Sequence, residues 1–218
     1  MVYLPDEGEF LANAGGAAYL NMGTLMPVYE ETLPRMAKAL HESGKPWVLD
    51  PVAIGIGALR TKLLRQFKPF KPSIIRGNAS EIIALAGLWE LDRVSGTSGT
   101  RGVDATDSVE SARDAAIALA KWTGGAVAVS GETDLVTDGK LVARSYGGSH
   151  FMEKVTGCGC SLGGVVAVYA TAASPFVAAM TATAVYNLAG RRAEEKVSGP
   201  GGFQVQFLDE LYLATPEE

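Results

Sequence analysis

Cysteine and histidine are scarce in this chain, with two of each, and it has neither a basic cluster nor a long apolar run at its start. The cysteines, Cys158 and Cys160, stand one residue apart. That spacing is poor geometry for a disulfide, and two thiols are too few for a zinc site. Reduced thiols and a cytoplasmic setting are the expectation. The 19 Lys and Arg are outnumbered by 24 Asp and Glu, a formal charge of −5. Nucleic acid is therefore not the expected partner, and a small molecule is. The opening MVYLPDEGEF is acidic where a secretory signal would be basic. No charged residue occurs between Lys154 and Arg191, but Ser174-Pro175 breaks this Gly-, Ala-, Ser- and Thr-rich stretch. The halves are too short and too weakly apolar to span a membrane, and they read as a pair of buried helices.

What is present is core-forming material: 218 residues, 47% hydrophobic and 20% charged. That excludes collagen, coiled coil and intrinsic disorder, and it suits one compact domain over residues 1–218. Short Val- and Ile-rich runs alternate with helix-like segments, the pattern of βαβ units around a mainly parallel sheet. Strands are expected at Ala18 to Asn21, Trp47 to Asp50, Ser73 to Arg76 and Ala126 to Ser130. Asp138-Gly139 marks a hairpin between Asp134 to Thr137 and Leu141 to Ser145. Helices are expected over about Val28 to Glu42, closed by Gly44, and over Ala79 to Ala86. Others cover about Ser108 to Trp122, capped by Asp107, and about Gln204 to Ala214. Leu88 to Val103 reads as a loop.

Ligands of open α/β sheets collect beyond the carboxyl ends of the strands. Asp50, Arg76, Asn78, Glu81 and Ser130 all fall there. Asn78 and Glu81 share a helix face and suit Mg²⁺, which takes few protein oxygens; the same spacing also makes a capping box. The run Val155-Thr-Gly-Cys-Gly-Cys160 is a Gly-rich turn feeding an uncharged helix, whose free amides and dipole favour an anion. At the helix start the dipole favours thiolate at Cys160, which leaves it open as a general base, a nucleophile or a small buried side chain. A nucleophilic cysteine would want a histidine. His41 reads as solvated, whereas His150 is close in sequence.

Six stretches in order carry a resemblance over essentially the whole chain. They are Asn21-Met-Gly-Thr-Leu25, Leu49-Asp-Pro-Val52, Ile75-Arg-Gly-Asn-Ala-Ser-Glu-Ile82, Arg101-Gly-Val-Asp104, Ser130-Gly-Glu132 with Asp138-Gly139, and Val155-Thr-Gly-Cys-Gly-Cys160. Together they resemble hydroxyethylthiazole kinase. The resemblance implies a three-layer αβα ribokinase-like fold and Mg²⁺-dependent transfer of the ATP γ-phosphoryl to the hydroxyl of 4-methyl-5-(2-hydroxyethyl)thiazole, in thiamine biosynthesis or salvage. It places Arg76, Ser130, Asn78 and Gly159 at ATP, Asp50 and Glu81 at the metal, and Met1 and Gly157 at the substrate. Cys160, where the wider group usually has an aspartate base, would receive or orient the substrate hydroxyl proton without a covalent intermediate. Ser130 replaces a more usual Thr, and Cys158 a usual Thr or Ala. The resemblance also implies a homotrimer with active sites between subunits. It further implies a first strand and helix before the position matching Met1, so that this stretch supplies only part of the thiazole pocket. A kinase for a pyrimidine or pyridoxal alcohol and a non-catalytic binding subunit are the alternative readings.

Overall fold

The computed structural model describes residues 2–91 and 108–214. Its centre is a six-stranded sheet in sequential order: β1 (Ala18–Asn21), β2 (Trp47–Asp50), β3 (Ile74–Asn78), β4 (Ala126–Ser130), β5 (Asp134–Thr137) and β6 (Val142–Ser145). The first four run parallel, and β5 and β6 return antiparallel as the expected hairpin. Because the parallel strands advance in one direction, right-handed crossovers put the connecting helices on one face. These are α2 (Tyr29–Ser43), α3 (Ala58–Phe67), α4 (Ala79–Leu88) and α5 (Arg113–Thr123), joined by α1 (Pro5–Ala14). The other face is left for the chain that follows the sheet, α6 (Cys158–Tyr169), α7 (Pro175–Glu194) and α8 (Pro200–Leu213).

The alternation of side chains along each strand divides the core in two. Leu20, Trp47, Leu49, Ile75, Val127 and Val129 pack beneath α2 to α5. Val48, Ile74, Ala126 and Ala128 pack beneath α6 and α7, which meet the sheet through Ala178, Ala179, Ala182, Val166 and Leu162. Small residues let these helices lie close to the strands, and their lack of charge up to Arg191, in the last turn of α7, reflects burial. No helix among the described residues is long and apolar enough to cross a membrane.

Local signals explain most boundaries. Glu30 and Glu31 occupy the first turn of α2, and Gly44 ends it in the left-handed region with its N–H on the His41 and Leu40 carbonyls. The differences are equally physical. β3 runs two residues beyond Arg76 because Gly77 and Asn78 still pair with Val129 and Ser130. The helix expected from Ser108 opens as a 3₁₀ turn over Val109–Ala112, with Ser108 accepting from the Ser111 amide. The proposed cap Asp107, and much of the loop expected over Leu88 to Val103, lie outside the described residues. α8 starts at Pro200, which suits a first turn, four residues before the expected Gln204. α1 and α3 were not anticipated, since both are short, and in α1 Gly8 and the exposed Phe10 and Leu11 blur the helical period.

Candidate active site

The carboxyl ends of the parallel strands carry a continuous polar chain. Asp50 ends β2 directly opposite Asn21 of β1, and Ser130 ends β4 opposite Asn78 of β3. Arg76 sits between them. Its Nη1 donates to Asp50 Oδ2 at 3.1 Å and its Nη2 to Ser130 Oγ at 3.1 Å. The Tyr19 hydroxyl donates to the same Asp50 oxygen at 2.7 Å and accepts from Asn21 Nδ2 at 2.6 Å. Asp50 is fully buried and Arg76 is 7% exposed. Burial raises the Asp50 pKa above the ordinary carboxylate value, with Glu81 adding repulsion, while Arg76 and Tyr19 oppose the shift. Two buried atoms of this ion pair, Asp50 Oδ1 and Arg76 Nε, have no hydrogen-bond partner. Natural proteins leave few such groups, and they concentrate where a ligand completes the bonding.

The amino end of α6 meets this chain from the opposite layer. Gly157 takes the N-cap position at φ 88°, a left-handed conformation that favours glycine, and no side chain caps the first turn. The first-turn amides at Gly159 and Cys160 and the positive end of the helix dipole therefore serve the space in front. A Cβ at Gly159 would lie 3.0 Å from Arg76 Nη2, so the guanidinium lies against this turn. Cys160 is half-buried in it. Cys158 is a different thiol: it is buried, burial raises its pKa, and its Sγ is 3.4 Å from the Tyr186 hydroxyl. Tyr186, from α7, donates to the Cys158 carbonyl and lies 2.6 Å from Ser161 Oγ. The turn is thus braced by Tyr186. A cavity of about 520 Å³ opens beside it, lined by Arg76, Ser130, Asp134, Cys158, Gly159 and Tyr186 among others, with His150 at its rim.

Asn78 and Glu81 form the capping box of α4. Asn78 Oδ1 accepts from the Glu81 amide at 2.9 Å, and Glu81 Oε2 accepts from the Asn78 amide at 2.9 Å. Glu81 Oε1 also accepts from the Ala53 amide at 3.2 Å, tying α4 to the loop after β2. Capping does not exhaust a carboxylate, whose oxygens have about four lone-pair sites. The unpartnered Asp50 Oδ1 and the remaining capacity of Glu81 fit a Mg²⁺ ion, which takes one or two carboxylates and fills its shell with phosphate and water. Among the described residues, no group of three or more His, Cys, Asp or Glu is arranged to hold a metal.

The structure thus gathers Asp50, Arg76, Ser130, Gly157, Gly159 and Cys160 around one end of the sheet, with Asn78, which caps α4, and Glu81 in its first turn beside them. Met1 and the Arg101 to Asp104 stretch lie outside the described residues. His150 stands at the cavity rim, with Nδ1 2.7 Å from Glu194 Oε1. Sequence reasoning missed Tyr19, Tyr186, Asp134 and Asn187. Asn187 Nδ2 donates to Asp134 Oδ2 at 2.7 Å and to Ser145 Oγ at 3.0 Å, and Asp134 Oδ1 accepts from the Gly131 amide at 3.0 Å. A signal existed for Tyr19: it stands two residues before Asn21 on a strand, hence on the same face. Asn187, a polar residue in the stretch without charge before Arg191, carried another.

Residues 1–217 match the model of the hydroxyethylthiazole kinase family. A hydroxyethylthiazole kinase of Bifidobacterium adolescentis is 51% identical over all of this chain and 78% of its own length. The structure of a hydroxyethylthiazole kinase protein from Pyrococcus horikoshii superposes with a TM-score of 0.85 at 27% identity, over 99% of this chain and 78% of that one. A ribokinase of Arabidopsis thaliana, complexed with ribose and ATP, shares the fold with a TM-score of 0.58 at 17% identity, over 96% of this chain and 60% of the other. With a family match along nearly its whole length and half of its residues shared with a named relative, the chain belongs to the hydroxyethylthiazole kinase family.

Proposed function

We propose that this kinase, a phosphotransferase with an alcohol acceptor, moves the γ-phosphoryl of ATP to the hydroxyl of 4-methyl-5-(2-hydroxyethyl)thiazole, and does so at the carboxyl end of its sheet. The observation that carries the reading is that Arg76 and Ser130, bonded in one chain with the buried Asp50, share a cavity with Gly159 at the uncapped amino end of α6. Phosphoryl transfer demands positioning and charge neutralisation more than covalent chemistry. Arg76 has an unpartnered Nε and two Nη groups already oriented, which suits phosphate oxygens. The first-turn amides of α6 would hold the charge that develops in transfer.

Asp50 and Glu81 would hold Mg²⁺, which when bound neutralises phosphate charge. Cys160, at the same turn, would accept or orient the proton of the substrate hydroxyl. Asn78 supports Glu81 through the cap, and Gly157 would sit against the thiazole, as would Met1. The family resemblance also supports a homotrimer with active sites between subunits and a cytoplasmic setting. A coupled ADP-release assay tests the reading, with the hydroxyethylthiazole compared against pyridoxal and hydroxymethylpyrimidine. Turnover with the thiazole in the presence of Mg²⁺ is expected. No thiazole-dependent ADP release, or preference for either other alcohol, overturns it. Light scattering should give three times the chain mass, and a monomer would refute the trimer.

A further inference from the structure

Tyr19 touches both halves of the site, yet neither charge neutralisation nor the anion-holding turn uses it. Its hydroxyl donates to Asp50 Oδ2 and is itself oriented by Asn21 Nδ2, whose own Oδ1 is held by the Gly23 amide at 2.7 Å. Its ring reaches across to α6, where a Cβ at Gly163 would overlap it. Gly163 lies three residues after Cys160, so the two share a face of the helix. The ring therefore occupies the space between β1 and the turn that bears the thiol.

We infer that Tyr19 is a positioning residue for phosphoryl transfer: its hydroxyl fixes the rotation of the Asp50 carboxylate, and its ring sets the distance between that carboxylate and the Cys160 turn. A carboxylate held by Arg76 alone retains rotational freedom about its terminal torsion, which is broad. With Tyr19 and Arg76 both on Oδ2, Oδ1 is the oxygen left over, and it is the one without a partner. Misplacement of this kind lowers the chemical step more than ground-state binding.

The inference rests on the kinase reading, and wild-type turnover in the same assay keeps the two separable. If the wild type does not phosphorylate the thiazole, the function reading fails. If it does, Tyr19→Phe keeps the ring and removes only the hydroxyl. At least a tenfold fall in kcat is expected, with KM for ATP changed less than about twofold, measured on folded protein well below its melting temperature. Tyr19→Leu, which removes the ring as well, should fall further. A smaller change in kcat for Tyr19→Phe, or a loss confined to KM, overturns the inference, whatever happens to the melting temperature.

Discussion

Removing Arg76 tests how the buried ion pair at the sheet's end is balanced. Arg76→Met keeps much of the side-chain volume but strips Asp50, which is fully buried, of the cation it pairs with at 3.1 Å, the only one among the described residues. Breaking a buried pair from one side costs roughly 3–5 kcal/mol, because the remaining charge is uncompensated. For a chain of this size each kcal/mol corresponds to about 2–4 °C of melting temperature. The drop should therefore be roughly 6–20 °C at neutral pH. Two groups soften it: Tyr19 still donates to Asp50, and the carboxyl, with its pKa already raised by burial, can escape by taking up a proton. Melting at mildly acidic pH should therefore show a smaller gap from wild type. Adding Asp50→Asn to Arg76→Met should recover at least half of the loss, since an amide carries no charge to strand. Calorimetric or fluorescence melts of the four proteins close the cycle. A single variant melting within about 2 °C of wild type, with no response to Asp50→Asn, would refute the account of the pair.

Glu81→Gln retains an acceptor for only one of the Asn78 and Ala53 amides, so it should cost about 1 kcal/mol, or roughly 2–4 °C in a melt, while the Mg²⁺ titration of activity moves to higher concentration. Asn78→Ala instead loses the cap and should cost about 1 kcal/mol, or roughly 2–4 °C in a melt. Cys160→Ala, a small change in a half-buried turn, should lower kcat by about 10²-fold or more while leaving the circular dichroism spectrum unchanged. Undiminished turnover would return Cys160 to packing. Asp134 has a folded pKa raised chiefly by burial, so the folded state holds its proton more tightly than the unfolded chain. Its contribution to stability is present at low pH and lost as pH rises through the folded pKa. Asp134→Asn should flatten that part of a stability-against-pH curve, and an unaltered slope would show that the carboxyl does not govern it.

The strands were readable because each is a short apolar run with a defined stop. Trp47–Asp50 is buried at every position and ends at Pro51. The carboxylates and Arg76 were placed at strand ends by the same reading, and a parallel sheet brings such ends together. Asn78 and Glu81 were ambiguous for a physical reason: a cap and a metal ligand use the same oxygens at the same spacing. The structure shows the cap directly, and the Glu81 bond to Ala53 shows that one carboxylate also ties down a neighbouring loop. Tyr186 was invisible as a brace because a tyrosine in an apolar helix reads as core, and only the packing of α7 against α6 puts its hydroxyl on the Cys158 carbonyl.

Patterning of apolar and polar residues along the chain was enough to specify the sheet, most of the helices, the Gly-rich turn and the polar groups at the strand ends, since these depend on neighbours a few positions apart. Which of those groups meet was settled by the topology. Strands added in one direction force α2 to α5 onto one face, and α6, more than a hundred residues after β1, comes to lie across Tyr19 on the other. No local signal carries a contact of that sequence separation, because it arises from how two layers close on a common sheet and from the absence of a side chain at Gly163.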